Sequence, residues 1–231
     1  MKHIVSFSGG KDSTAMLLMM IEKQMQIDKI VMVDTTKEFP AMYEHVKKVQ
    51  KYIKPFKIDI IKIDFDYWFS EHIKTKGKNK GLKGYGFPDN INRWCTALKR
   101  QAIKKYERSL NDKIIQYHGI AIDEKHRTEK NGDNIKYPLC EWNITEQEAL
   151  KYCYNKGFNW DNLYHQFDRV SCWCCPLSNL KELKNLYTNF PELWEELKKM
   201  EKKSYRKFKN NYTVKDLDTR FYKESLQQRI F

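Results

Sequence analysis

Ser8-Gly9-Gly10-Lys11-Asp12-Ser13 is the stretch on which the reading of this chain turns. Ahead of it, His3 to Phe7 is short, mostly apolar and β-branched, which predicts a strand. Behind it, Ala15 through Met25 is long, apolar-rich and free of Gly and Pro, which predicts a helix. Two adjacent glycines at such a junction let backbone N–H groups close on an anion with no Cβ in the way, and the helix start adds the positive end of its dipole. Phosphate is the natural guest. The Walker pattern needs Ser or Thr directly after the Lys, and Asp12 follows Lys11 here, so this is not an ordinary P-loop. A glycine pair alone also suits a plain strand-to-helix turn; the full string after a strand is the stronger signal.

The string resembles the PP-loop signature of the adenine-nucleotide α-hydrolase superfamily, and later segments narrow the resemblance to the phosphoadenosine phosphosulfate (PAPS) reductase family. In that superfamily the loop holds the phosphates or pyrophosphate of an adenine nucleotide. The resemblance therefore implies nucleotide contacts at Ser8, Gly9, Gly10, Lys11, Asp12 and Ser13, with Lys11 and Asp12 as the catalytic pair. Mg would accompany ATP at such a site.

Lys29 to Asp34 reads as a second strand and Ala41 to Ile53 as a helix, followed by a third strand over Lys57 to Asp64. Strand, loop and helix recurring at this spacing predict a parallel sheet, with Asp34 at the carboxyl end where such sheets bind ligands. The segment from Asp34 to Pro40 is similar to the family's Asp-Thr-Gly stretch, although Thr36 stands where Gly is usual. Asp34 and Thr35 are thus implied nucleotide neighbours, with a simple strand-end cap as the plainer reading. Ile114 to Ile122 predicts another strand, leading into Asp123-Glu124-Lys125-His126-Arg127. By the family match Arg127 is a phosphate or sulfate ligand. The expected fold is α/β: a twisted, mostly parallel sheet with helices on both faces, plus a helical C-terminal region. A PP-loop domain over 1–178 and a basic helical extension over 179–231 are the expected divisions.

Arg169-Val170-Ser171-Cys172-Trp173-Cys174-Cys175-Pro176 is the second focus. Cys172 and Cys175 form a C-x-x-C, a half-site that aims two thiolates at one metal from a tight turn, and Cys174 adds a third sulfur nearby. Arg93-Trp94-Cys95 resembles the family's Arg-Cys-Cys segment with Trp94 in place of the first Cys, and it has Lys99 downstream. In one branch of the family two such cysteine pairs hold a [4Fe–4S] cluster, so Cys95, Cys172, Cys174 and Cys175 are the implied ligands, with Cys140 and Cys153 as reserves for the fourth position. Zinc uses the same thiolates and stays open beside iron–sulfur. Buried cysteines acting as small hydrophobes are the plain alternative.

Between Lys74 and Gly86 the chain is rich in Lys and Gly, a composition that cannot pack a core and is expected to stay mobile, closing on Tyr85 and Phe87. It reads equally as a flap over phosphates or bases and as a solvated insertion. Thr145 and Glu148 have capping-box spacing ahead of a helix stopped by Gly157, and Leu180 to Tyr187 and Pro191 to Met200 predict two more helices. The Lys-rich tail over 198–209 reads first as a solvated helix face and second as a phosphate-binding segment.

Apolar residues make up 41% of the 231 and aromatics 14%, which excludes global disorder. The longest apolar run, around Ala15 to Ile21, is too short to span a bilayer, and no basic n-region precedes it, so a cytoplasmic protein without membrane contact is expected. Six cysteines in that compartment read as reduced, ligating or catalytic rather than disulfide-linked. The net charge of +13, from 43 Lys and Arg against 30 Asp and Glu, attracts polyanions and keeps nucleic acid among the expected partners, beside a bland Lys-rich surface. The family's sulfonucleotide reductases carry a catalytic Cys in a Glu-Cys-Gly tail, and no Cys follows Cys175 here. Three functions are thereby expected: sulfonucleotide reduction through an upstream Cys, ATP-dependent sulfur transfer to nucleic acid, or a nucleotide- or nucleic-acid-binding regulatory module without turnover.

Overall fold

A computed structural model of the protein describes residues 1–77, 79–129 and 132–227; Lys78 of the Lys-rich stretch and residues 228–231 lie outside them. The described chain falls into two compact units. Unit 1 comprises Met1–Asp34, Glu38–Ile63 and Lys99–Leu163, and unit 2 comprises Thr35–Lys37, Asp64–Leu98 and Tyr164–Phe231. Residues on both sides of position 178 belong to unit 2.

Unit 1 is built on a five-stranded sheet in the order β3-β2-β1-β4-β5. The strands are β1 Lys2–Ser6, β2 Lys29–Asp34, β3 Ile58–Lys62, β4 Ile114–His118 and β5 Ile135–Lys136, and every pairing is parallel. Val5 sits at the centre, in register with Ile30 on one side and Tyr117 on the other. Consecutive buried residues, Ile4 and Val5 on β1 and Ile30 to Met32 on β2, mean that both faces of the central strands are covered.

The helices doing the covering are α1 Lys11–Glu22, α2 Pro40–Tyr52 and α3 Trp94–Ser109, whose residues from Lys99 on belong to this unit. Right-handed crossovers place α1 and α2 on one face as the chain steps outward from β1 to β3. The step back across β1 to β4 places α3 on the other. Strand order therefore reverses between β1 and β4, and the loop leaving β1 opens at that switch point. A short α4, Pro138–Glu141, precedes α5, Glu146–Asn155, which packs against α1. The capping box expected at Thr145 and Glu148 is formed in both directions. The strand expected over Ile114 to Ile122 ends at His118, because Gly119 breaks off the ladder and the chain then turns through a 3₁₀ segment, Ile122–Arg127.

In unit 2 the Lys- and Gly-rich stretch is tied down rather than loose. Ile73 and Lys83 pair in an antiparallel bridge, Lys74 N–H donates to Leu82 O at 3.0 Å and Gly81 N–H to Lys74 O at 2.9 Å. Lys74 is itself buried, its ammonium donating to Tyr205 Oη at 2.5 Å, so this lysine is a structural anchor and not a solvated charge. Tyr85 stacks on both Trp68 and Trp94. The composition forecast fails here because aromatics outside the stretch supply the packing that the stretch itself lacks.

Leu163–Gln166 forms the short α6, and α7 Leu180–Asn189 and α8 Pro191–Lys203 match the two helices read from the sequence. The Lys-rich tail continues as a helix only to Lys203. Lys209 instead folds back, donating to Pro176 O at 2.5 Å and Ser178 O at 2.7 Å. A further helix within the expected helical extension, α9 Val214–Gln227, buries Val214, Leu217 and Phe221. No helix among the described residues is long and apolar enough to cross a membrane.

Candidate functional site

Ser8-Gly9-Gly10 forms the turn between β1 and α1, with Gly9 at φ +79° and Gly10 as the N-cap. Gly9 takes a left-handed conformation that a side-chain-bearing residue resists. Helix α1 begins at Lys11, four residues earlier than read from the sequence, so the whole string from Ser8 to Ser13 lies within the loop and the first helical turn. The hydroxyls of Ser8 and Ser13 lie 2.9 Å apart, Ser13 Oγ donates to Gly10 O at 3.1 Å, and the Ser8 amide donates to Ser13 Oγ at 3.2 Å. These bonds close the turn on itself and leave the Gly10 amide directed at Ser8 Oγ at 3.3 Å, on the exposed side.

Lys11 is buried, and its ammonium lies 2.6 Å from Glu146 Oε1 and 3.4 Å from Asp12 Oδ2. Burial opposes the charge, but Asp12 and Glu146 together hold Lys11 above its usual range. Desolvation lifts the Asp12 carboxyl to about 6, against the pull of Lys11. Its Oδ1 is buried with no hydrogen-bond partner among the described residues. Glu146 was legible only as part of a helix start; its role beside Lys11 is a tertiary fact. It is the first residue of α5, and its amide donates to both oxygens of Asp123 at 3.2 Å.

Asp34 ends β2, buried, with Tyr43 Oη donating to its Oδ1 at 3.1 Å. Burial and then the Asp34 charge push the Tyr43 phenol up. Arg127 closes the 3₁₀ segment after β4 with its guanidinium paired to Glu124 on the same turn. Thr35 and Thr36 belong to unit 2. Thr35 Oγ1 is buried and unpartnered among the described residues, and Thr36 stands at φ +61°, which is the physical reason the family's Gly suits that position.

The six cysteines form no disulfide and divide between the units. Cys140 Sγ donates to Ile120 O at 3.2 Å, and Cys153 Sγ donates to Lys11 O at 3.5 Å from the buried face of α5. Burial, then the nearby Asp12 charge, push Cys153 up to about 12. Both are thus thiols seated on unit 1 backbone. Cys95, Cys172, Cys174 and Cys175 all lie in unit 2. Cys175 N–H donates to Cys172 O at 3.1 Å in a tight turn that Lys209 braces. The Cys172 thiol, hydrogen-bonded to Cys175, and burial raise Cys175 well above the usual thiol range.

Trp94, in place of the family's first Cys, is a buried anchor whose indole donates to Gly86 O at 3.0 Å. Zinc and [4Fe–4S] clusters take four such ligands. Among the described residues no three Cys, His, Asp or Glu side chains are arranged to hold an ion.

Behind the loop, three residues not singled out in the sequence pack in one buried group. Trp160 Nε1 donates to Gly9 O at 2.7 Å, Thr14 Oγ1 is 3.0 Å from His45 Nε2, and the His45 ring stacks on Trp160 with centroids 4.3 Å apart. Burial drives the His45 imidazole down to about 3, so it is neutral. Asn159, Asp161 and Asn162 around Trp160 are a sequence signal for the left-handed backbone found there.

An uncharacterized protein of Methanocaldococcus jannaschii is 28% identical over 207 residues, covering 83% of this chain and 40% of that protein. The chain thus spans less than half the length of this curated relative. Among solved structures, the U34-tRNA thiolase NcsA of Methanococcus maripaludis with its [4Fe–4S] cluster aligns over 87% of this chain and 71% of its own, at a TM-score of 0.45 and 14% identity. The phosphoadenosine phosphosulfate reductase domain matches residues 2–178, from β1 through the loop at Ser8 to the turn at Cys175. By that match the chain belongs to the phosphoadenosine phosphosulfate reductase domain family.

Proposed function

We propose that the chain is a PP-loop enzyme that binds an adenine nucleotide at Ser8 to Ser13 and acts at its charged end. The observation that carries this reading is a glycine turn at the β1/β4 switch point with a charged, buried ammonium, Lys11, held against the loop by two carboxylates. Gly9 and Gly10 allow close approach of an anion, and the start of α1 contributes its dipole. Lys11 stabilises negative charge that builds on the phosphate or sulfate group during transfer. Asp34 lies at the carboxyl end of β2, where open parallel sheets take the remainder of a nucleotide. Arg127 is the proposed ligand of the terminal anion, exchanging Glu124 for it.

The chemistry supported is either ATP-dependent activation of an acceptor for sulfur transfer or reduction of a sulfonucleotide. No step is assigned to a metal or cluster. Nucleic acid is the proposed acceptor in the first case, on the strength of the net charge of +13. Incubation with ATP or PAPS, assayed for pyrophosphate, AMP, sulfite and adenosine-3′,5′-bisphosphate, separates the two. Pyrophosphate release that rises with added RNA or DNA marks sulfur transfer; sulfite marks reduction; no product from either nucleotide marks a binding module.

Binding itself is tested with the Lys11→Ala, Asp12→Ala double variant. Loss of the ammonium is expected to weaken nucleotide binding at least ~30-fold, since charge-assisted contacts to phosphate are worth about 2 kcal/mol or more. Equal affinity for ATP in the two proteins, measured by calorimetry, rejects the site.

A further inference from the structure

The buried group behind the loop has a direction. Gly9 O receives the Trp160 indole proton at 2.7 Å and has Thr14 Oγ1 at 3.5 Å, and Thr14 Oγ1 meets His45 Nε2 at 3.0 Å. Trp160, Thr14 and His45 are each at most 2% exposed. His45 Nδ1 is buried without a partner. A buried N–H left unpaired is rarer than a buried unshared lone pair, so the single proton of the neutral ring belongs on Nε2. That proton is donated to Thr14 Oγ1, which frees the Thr14 hydroxyl proton for Gly9 O. Histidine, threonine and tryptophan thereby all drive hydrogen toward one carbonyl.

In a trans peptide the C=O and the following N–H point in opposite directions. Holding Gly9 O inward therefore fixes the Gly10 N–H outward, toward the exposed side where its contact is Ser8 Oγ. Between two glycines such a peptide plane otherwise rotates at little cost. Trp160 is itself presented by an unusual turn: Trp160, Asp161 and Asn162 have φ of 50°, 51° and 62°, three successive non-glycine residues in left-handed backbone. Such a conformation persists where its surroundings over-determine it, and the indole bond to Gly9 is the contact it delivers.

From this we infer that Trp160, Thr14 and His45 are positioning residues that set the Gly9–Gly10 peptide plane, so that the Gly10 amide is presented to the bound anion. The inference rests on the reading of Ser8 to Ser13 as the phosphate-binding loop. It adds to that reading a device that orients the loop from behind without touching the ligand.

The test is calorimetry of the full chain with MgATP and, separately, inorganic pyrophosphate, with the melting temperature recorded for each variant. Trp160→Phe keeps an aromatic ring and removes the N–H; affinity for both probes is expected to fall ~10-fold, the scale of one misplaced hydrogen bond. Thr14→Val is expected to weaken both probes several-fold and Thr14→Ser to restore them, which a purely packing role for the Thr14 methyl would reverse. Nitrogen-15 spectra are expected to show His45 protonated at Nε2 alone. Wild-type affinity in Trp160→Phe and Thr14→Val, with binding lost in Lys11→Ala, overturns the inference and leaves the loop assignment standing. No binding by the wild type, or equal binding by wild type and Lys11→Ala, overturns both. A His45 proton on Nδ1 overturns the directed relay.

Discussion

Gly119→Ala is expected to destabilise the protein by ~3 kcal/mol and to weaken nucleotide binding with it. Gly119 follows β4 directly, and its φ lies outside the left-handed region, so no turn demands glycine there. Space demands it. A Cβ at this position would lie 2.7 Å from both Ser13 Cα and Ser13 N and 2.9 Å from the Asp12 carbonyl carbon. Those atoms are backbone in the first turn of α1, pinned by Thr14 N–H on Gly10 O at 2.9 Å and by the Ser13 hydroxyl on the same carbonyl. Relief therefore requires α1 or the end of β4 to move, and either motion opens the loop. Gly157→Ala is the matching control: it has φ +83° and nothing within 4 Å of the added carbon, so only backbone strain of ~1 kcal/mol is expected. Urea midpoints for the two variants decide the matter. A Gly119→Ala protein no less stable than Gly157→Ala would show that close packing of β4 on the loop is not what keeps it shaped.

The same close approach shows what a sequence can and cannot disclose. Lys29 to Asp34 was legible as a strand to the residue, because a β-branched run ending in an acid at βαβ spacing has few other readings. The loop string was legible because its chemistry is local: glycines, a lysine and hydroxyls within six residues. Glu146 was legible as a helix start yet not as the partner of Lys11, and Trp160 not at all, since the bond from its indole to Gly9 joins residues 151 positions apart. The His45 contact with Thr14 spans 31 positions and is equally invisible to pattern. Helix α9 falls inside the helical extension expected over 179–231, and Val214, Leu217 and Phe221 carry its period openly. The cysteines were read by spacing, which locates the turn from Cys172 to Cys175 but says nothing of where Cys140 and Cys153 point. Unit 1 backbone has occupied both.

His45, buried behind the loop, and Asp12, half-buried within it, make the pH dependence of stability an offset of opposing effects. His45 falls from 6.5 to about 3 on folding through burial, so the folded protein binds fewer protons than the unfolded chain between those values. Its contribution is fully present above pH 6.5 and is lost as pH falls, by ~3 kcal/mol at pH 4. Asp12 runs the other way. Desolvation raises it from 3.8 to about 6, so the folded protein holds the extra proton, and acidification from pH 6 to 4 returns ~2 kcal/mol. In the wild type the two nearly cancel over that range, and net acid loss from this pair sets in below pH 4, where only His45 still titrates differently in the two states. Substitution separates them. Relative to wild type, Asp12→Asn should lose stability steadily from pH 6 to 4, whereas His45→Gln, which keeps an N–H for Thr14 but cannot titrate, should gain it. Surface ion pairs are common to all three proteins and drop out of the differences. Urea unfolding at pH 7, 6, 5 and 4 gives the slopes. Parallel curves for the two variants would mean that neither Asp12 in the loop nor His45 behind it is as dry as its place implies, and the directed hydrogen bonds onto Gly9 would lose their low-dielectric setting.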